Sequence, residues 1–564
     1  MQNHSLPMTW RRVDVMAASF AINLLALALP IVILQFYDRI IPYKSNGTFI
    51  ALMTGMFVVI VLDLILKTLR SKILSWEGAR FDHRAGVGAM DQILQADTLS
   101  FDAKPAGYYI DRIHALENIQ EFYSGQSILL LIDLPFVVLY LALIAVIAGP
   151  LVAIPIVLVL IFLLVSWKTG SSLHASLSNR STMEDRRQNF VIELLQGIHT
   201  AKSMAMESLM MRRYERLQYQ SAESIYDLSK INSISSGVGA TFSQLAIISF
   251  VGIGAASVVS GDLTVGALAA GTMLTSRVLQ PGLRAMSVWT QFQGVRLAID
   301  KVNALFAIPR ENSGAVSCDS RVKGAIDVKN VDFKYPEQEE LLLKGVSLSI
   351  KPGEAIGIAG DNGAGKSTLI SLLSGFIKPQ AGEILVDGTP LEEFNIEFLR
   401  SQIGIVPQQG VIFEGTILEN MTLYREGEAA EQAIKLAAEL GLGEIVSKLP
   451  DGLDTYIGGS AASNLSEGVR QKIIIVRSLV GNPRIILFDD ANANFDIKND
   501  KKLVNVIQSM KGDRTMVIVS HRPSVLRLCD RCLELKGGSL HEVTDQLAMQ
   551  RPATAKPKLT VAGA

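Results

Sequence analysis

The sequence is poor in cysteine and carries no excess of charge of either sign. Its three cysteines, Cys318, Cys529 and Cys532, all lie in the second half, and neither their number nor their spacing makes a disulfide framework. Cys529-Asp-Arg-Cys532 is a C-x-x-C. Without a second pair or nearby histidines it reads as an incidental pair in a reduced, cytosolic domain rather than a metal or redox centre. Formal net charge is −1 over 564 residues and no long run of one sign occurs, so nothing points to nucleic acid. No small-residue cleavage site follows the first apolar run, which is also too long for a secretory leader.

What the chain has in abundance is apolar sequence. Hydrophobic residues make up 49% and mean hydropathy is +0.31, above what a soluble enzyme shows. The length calls for more than one domain. Apolar runs at residues 14–36, 49–69, 128–148, 151–167, 238–260 and 265–283 are each near the ~20 residues that cross a bilayer as a helix, giving six expected spans. The connections after the first, third and fifth are short. Those after the second and fourth, residues 70–127 and 168–237, are long and carry Lys72, Arg80, Arg84, Arg180, Arg186, Arg187, Arg212 and Arg213. The positive-inside tendency makes them cytoplasmic, in parity with a cytoplasmic N-terminus. Their apolar residues recur at helical spacing, as in 189–198, so the helices should continue beyond the membrane.

Asp63, Asp133 and Arg277 fall inside or at the edge of apolar runs. Charge at membrane depth is costly, so each should face a bundle interior or a water-filled cavity, as an ion pair or as a substrate contact. The fifth and sixth runs are rich in Gly, Ser and Thr, which suits close helix packing or a polar lining.

After residue 305 the composition changes. Residues 306–323 read as a linker, and from 324 to 548 strands alternate with helices as in an α/β domain. Residues 549–564 form a polar, Pro/Ala-rich tail expected to be disordered. Within the α/β part, Gly360, Gly365, Lys366 and Ser367 stand at G-x-x-x-x-G-K-S/T spacing after the apolar run 355–359, a phosphate-binding loop. Backbone N–H groups from Gly360 through Asp361, Asn362, Gly363, Ala364 and Gly365 to Thr368 curl towards phosphate oxygens. Lys366 reaches the β- and γ-phosphates of ATP, Ser367 offers its hydroxyl to Mg²⁺, and the following helix adds its positive end. Tyr335 precedes the loop by about 25 residues, where an aromatic can stack on adenine. The run 484–490 is a buried strand ending in Asp489, placed to hold Mg²⁺ through water, and Asp490, where a general base for hydrolysis would stand. Gln408 and His521 end β-rich runs, positions that suit groups sensing the γ-phosphate. Taken singly each is an ordinary strand-end residue; as an ordered set they describe an ATPase site.

With these residues assembled, the second half resembles the nucleotide-binding domain of ATP-binding-cassette transporters, and the whole chain resembles an exporter half-transporter: a six-helix all-α transmembrane domain (1–305) followed by an α/β P-loop nucleotide-binding domain. The resemblance makes Tyr335 the adenine-stacking residue, residues 360–368 the Walker A loop, Gln408 the Q-loop glutamine, Asp489 the Walker B aspartate, Asp496 a D-loop residue and His521 the switch histidine. Ser367, Gln408 and Asp489 would surround Mg²⁺. Residues 465–469, Leu-Ser-Glu-Gly-Val, stand where the family carries LSGGQ, with Ser466 and Gly468 meeting ATP held by a second subunit. A dimer, homomeric or heteromeric, is thereby implied.

The membrane half is similar to type I secretion transporters of Gram-negative bacteria, on residues 29–42, 133–135, 261–268 and 277–281. That likeness implies a multi-pass protein of the bacterial inner membrane with a cytoplasmic nucleotide domain, a polypeptide substrate, a periplasmic adaptor and an outer-membrane channel. The first span begins near Asp14, so the N-terminal peptidase-like domain of many relatives is expected to be absent. Two departures bear on mechanism. Asp490 stands where the family usually has a catalytic glutamate, which predicts slow hydrolysis, and the signature has Glu467 and Val469 for a glycine and the glutamine. A catalytically weak subunit of a heterodimer is the alternative, as is a lipid or drug exporter of the same architecture.

Overall fold

The computed structural model describes residues 13–170, 173–311, 314–316, 322–458 and 465–543. The expected tail, Cys318 and part of the expected linker lie outside them. The chain divides into two compact units, one of residues 1–96 and 100–310, the other of 97–99 and 311–564.

The first unit is helical throughout. Its main helices are α1 (Val13–Leu25), α2 (Ala28–Gln35), α3 (Asn46–Leu94), α4 (Ala106–Ser124), α5 (Phe136–Ala148), α6 (Ala153–Gly170), α7 (Leu173–Gln196), α8 (Glu207–Val259) and α9 (Val265–Phe306). At 1.5 Å per residue, the 49 residues of α3 reach roughly 74 Å, over twice a hydrocarbon core of about 30 Å. The long helices therefore run well past the bilayer.

Among the described residues, four helical stretches are long and apolar enough to cross a membrane: Val13–Tyr43, Asn46–Leu94, Phe136–Phe162 and Gly237–Val259. The expected third and fourth spans, 128–148 and 151–167, both overlap the stretch Phe136–Phe162, broken where Gly149 takes φ +54° and a turn of 3₁₀ helix, Gly149–Val152, begins. The expected sixth span opens α9 but is not among the four; Arg277 and Gln280 lower its hydropathy most.

Small residues earn their place by packing. A Cβ on Gly271 would stand 2.6 Å from the Phe250 ring, and one on Gly254 2.5 Å from Leu268; Phe250, Leu274, Ile144 and Tyr140 form the adjoining core. Two stretches distant in sequence also meet here. In the π-helical turn Phe36–Ile40, the Asp38 carboxylate accepts from the Gly266 N–H (2.9 Å) and the Thr264 hydroxyl (2.6 Å), clamping the start of α9. In the extensions, Lys301 on α9 bridges Asp111 on α4 (2.7 Å) and Asp185 on α7 (3.3 Å).

The second unit is built on a six-stranded sheet of β3 (Ala355–Gly360), β6 (Ile403–Val406), β9 (Ile485–Asp489), β10 (Thr515–Val519), β11 (Arg531–Lys536) and β12 (Ser539–Glu542). Its order is β12-β11-β3-β10-β9-β6, parallel from β11 to β6. An antiparallel sheet, β2-β1-β4-β5, combines β1 (Ile326–Phe333), β2 (Leu343–Ile350), β4 (Ala381–Val386) and β5 (Thr389–Pro390). Completing the strands, β7 (Gly415–Thr416) pairs with β8 (Tyr456–Ile457). Parallel strands buried on both faces read as continuous apolar runs, as in Ile485–Asp489 and Thr515–Val519, whose apolar residues are buried. Helices α10 (Lys366–Leu373), α11 (Glu467–Leu479) and α12 (Ile497–Met510) lie in this unit.

Gly404 lets β6 seat. A Cβ there would stand 2.5 Å from the Ser478 carbonyl oxygen and 2.7 Å from the Pro483 ring, a close backbone approach of the kind that demands glycine. Gly404→Ala should destabilise the unit by about 1–3 kcal/mol, read as a lower thermal midpoint; an unchanged midpoint would contradict this packing.

Candidate functional site

Four neighbouring parallel strands end at one edge, and each hands over a residue singled out from sequence. β3 leads into the phosphate loop, β10 is followed by His521, β9 ends in Asp489 with Asp490 next, and Gln408 lies two residues beyond β6. Ligands in open parallel sheets bind beyond the carboxyl ends of the strands. A cavity of about 470 Å³ exists in the membrane unit, but the one at this edge, about 410 Å³, is lined by Tyr335, Gly363, Lys366, Ser367, Thr368, Gln408, Asp489, Asp490 and His521, with Asn362 and Gly365.

The loop's shape follows from its glycines. Gly360, Gly363 and Gly365 take φ of +150°, +81° and +102°, and at Gly360 a Cβ would stand 2.5 Å from the Leu535 carbonyl oxygen. Gly365 caps α10, so the loop ends on a helix N-terminus. The Lys366 ammonium donates to the carbonyls of Gly360 and Asp361, each at 2.8 Å, folding its side chain back over the loop. Burial lowers its pKa, opposed by Asp490, Asp489 and Asp361.

The Ser367 hydroxyl donates to Asp489 Oδ1 at 3.0 Å. Burial raises the Asp489 carboxyl above the usual aspartate range; the Ser367 hydrogen bond opposes this, Asp490 reinforces it, and Lys366 opposes it. Asp490 itself sits at φ +46°, its N–H donating to the Val519 carbonyl at 2.9 Å. The left-handed region is uncommon for non-glycine residues, with Asp and Asn enriched there. The Tyr335 hydroxyl shares a 3.1 Å hydrogen bond with Thr368, and its ring stands edge-on to Phe333 at 5.1 Å.

Ser466 and Gly468 do not line this cavity. Ser466, exposed, precedes α11 at its N-cap without a side-chain capping bond. Glu467 pairs with Arg470 at 3.2 Å. Val469, a departure when read against LSGGQ, is 7% exposed and belongs to the hydrophobic core. Asp496 caps α12, accepting from the Asn499 N–H at 2.7 Å.

Two contacts have no motif to announce them. The Gln471 amide donates to the Pro407 carbonyl at 2.9 Å, tying α11 to the residue before Gln408. Asn492 donates to Asp500 (2.9 Å) and accepts from the Ser520 hydroxyl (3.0 Å); Ser520 in turn accepts from the Arg522 N–H (3.1 Å). The segment after Asp490 is thereby fastened to the residues on both sides of His521. Cys529 and Cys532 are buried free thiols, and among the described residues no group of His, Cys, Asp or Glu forms a metal cluster.

A strand-edge phosphate loop with these partners, joined to a bundle of membrane-length helices, defines an ATP-powered membrane transporter. The description "ABC transporter" matches residues 343–493 and "ABC transporter transmembrane region" residues 15–281, and the chain belongs to that family, whose exporters work as dimers and whose nucleotide domain binds and hydrolyses ATP. It is similar to the exotoxin translocation ATP-binding protein PaxB of Pasteurella aerogenes, 29% identical over 94% of this chain and 74% of that one. The alpha-hemolysin translocation ATP-binding protein HlyB of Escherichia coli O157:H7 is also 29% identical, over 94% of this chain and 76% of the relative. In fold it is similar to a bacterial Atm1-family ABC exporter with ATP bound, with a TM-score of 0.83 at 22% identity, covering 95% of this chain and 96% of that one.

Because Asn492 carries both halves of its link, Asn492→Ala should cost about 1–3 kcal/mol locally by leaving buried partners unsatisfied. Amide exchange at residues 520–522 should quicken; unchanged protection would show that the link does not hold the loop.

Proposed function

We propose that two copies of this chain form an ATP-driven exporter that moves a polypeptide across the bacterial inner membrane in a type I secretion-like system, with a periplasmic adaptor and an outer-membrane channel as partners and the nucleotide unit in the cytoplasm. The observation that carries the motor half of this reading is the convergence of Lys366, Ser367, Gln408, Asp489, Asp490 and His521 on one cavity. The cargo class rests on relatives whose names are of exotoxin and hemolysin translocation.

In this reading the loop N–H groups from Gly363 to Lys366 take the phosphate oxygens, and Lys366 leaves the Gly360 and Asp361 carbonyls for the β- and γ-phosphates. Ser367 and Asp489, already in contact, form with Gln408 the oxygen-rich set that suits Mg²⁺. Bound there, the ion would offset the charge on the β- and γ-oxygens. Tyr335 offers its ring face to adenine. His521 and Gln408 sense the γ-phosphate from β10 and β6, and Asp490 orients the attacking water. Ser466 and Gly468 of each copy close over the nucleotide of the other.

Asp490 is one methylene shorter than glutamate, and about 1 Å of misplacement can cost on the order of a hundredfold in rate. Slow hydrolysis follows. The same observation supports a second reading, in which this chain is the weak half of a heterodimer.

The experiment is the ATPase rate of the purified chain in lipid. Slow turnover is expected, lowered about a hundredfold or more by Lys366→Ala and raised about tenfold to a hundredfold by Asp490→Glu. Turnover indifferent to Lys366→Ala would overturn the site. ATP binding without turnover in the parent, with activity in Asp490→Glu, would favour the heterodimer.

A further inference from the structure

The membrane unit contains a second cavity, about 470 Å³, whose wall is not apolar throughout as bilayer depth would favour. Such a volume lies within the roughly 300–1,000 Å³ of ligand pockets. Three cations and two carboxylates face it: Lys67, Arg70 and Arg277 against Asp63 and Asp133. Lys67 is taken by Asp63 at 2.6 Å. Arg70, 7% exposed, spans Asp133 at 3.4 Å and the Ser19 hydroxyl at 2.9 Å, and Asp133 also accepts from the Asn23 amide at 2.9 Å. Among the described residues, Arg277 has no carboxylate within ion-pair distance. It shares the cavity wall with Tyr140, a buried tyrosine that donates to Asn23 Oδ1 at 2.8 Å. One positive charge therefore stands in excess at membrane depth, where ionisable groups are costly and mark substrate or ion paths.

A second feature occurs at the same point. Pro281 lies inside α9 and lines the cavity. Having no N–H, it deprives the carbonyl four residues earlier, that of Arg277, of its intrahelical donor. The Arg277 position thus offers a guanidinium for an anion and a backbone acceptor for an N–H group, beside the apolar side chains of Leu29, Met56 and Ile60.

We propose that this cavity binds a carboxylate of the translocating polypeptide, an acidic side chain or the chain's own C-terminus, with Arg277 as its principal ligand. The carboxylate pairs with the guanidinium, a peptide N–H meets the Arg277 carbonyl, and the stem lies on the apolar wall. Arg70 and Lys67 stay neutralised by their own aspartates, so selectivity falls to Arg277. The identity of the anion as polypeptide rests on the exporter reading above.

The test uses the full chain in phosphatidylcholine nanodiscs and two fluorescent heptapeptides, one with glutamates and a free C-terminus, the other with glutamines and a C-terminal amide. The acidic peptide should bind about tenfold or more tightly. Arg277→Gln should erase that preference while leaving the affinity for the amidated glutamine peptide unchanged, and Arg277→Lys should retain part of it. Equal affinities in the parent, or a preference that survives Arg277→Gln, would overturn the proposal. So would charge-dependent binding of phosphatidylglycerol with no binding of either peptide, which would assign the cavity to a lipid headgroup. Failure of the motor reading shows separately, as ATPase turnover that Lys366→Ala does not touch.

Discussion

Everything this chain can do with ATP depends on parallel strand pairing. Side chains on different strands converge on one phosphate only if the strands end at the same edge, and the register of β3, β10, β9 and β6 makes them do so. In sequence the four contributions are spread from Gly360 to His521; in space they are neighbours. Hydrogen bonds between buried strands and the cores on either side thereby set the geometry of a polar site that has little packing of its own. Gly404 matters for the same reason, since shifting β6 would carry Gln408 with it.

The second constraint is electrostatic. Three carboxylates, Asp361, Asp489 and Asp490, act on a single lysine whose burial favours its neutral form. A triphosphate entering such a site needs positive charge brought with it or supplied by the loop N–H groups, and the Ser367–Asp489 contact marks where a divalent cation would mediate. Glu467 carries its own counter-charge in Arg470, which blunts the repulsion a carboxylate in the signature would otherwise offer to a nucleotide.

The parts of this arrangement legible in the sequence are those in which local spacing and chemistry coincide. The phosphate loop is contiguous, and Asp489 and His521 end apolar runs that can only be buried strands. Less legible were features made by residues far apart. Nothing local marks Asp38 as the clamp on Gly266, or joins Asn492 to Ser520, because each is an ordinary polar residue until the fold brings its partner. Val469 shows the converse: measured against a motif it is a loss, but in the structure it fills core. Apolar runs separated the membrane unit from the nucleotide unit and kept the stretches that became α5 and α6 apart, on either side of the turn at Gly149, but they gave no sign of how far α3, α8 and α9 extend. The signature residues Ser466 and Gly468 stand apart from the cavity, as they must if their ligand is held by another copy.

That last relation is the central claim, and cysteine cross-linking tests it most directly. In a chain with Cys318→Ser, Asn362→Cys on the phosphate loop and Glu467→Cys at the signature should form a disulfide between two copies when MgATP is present. The link should be lost with Lys366→Ala. Cross-linking indifferent to ATP, or none at all in the purified chain, would contradict a site shared between two copies.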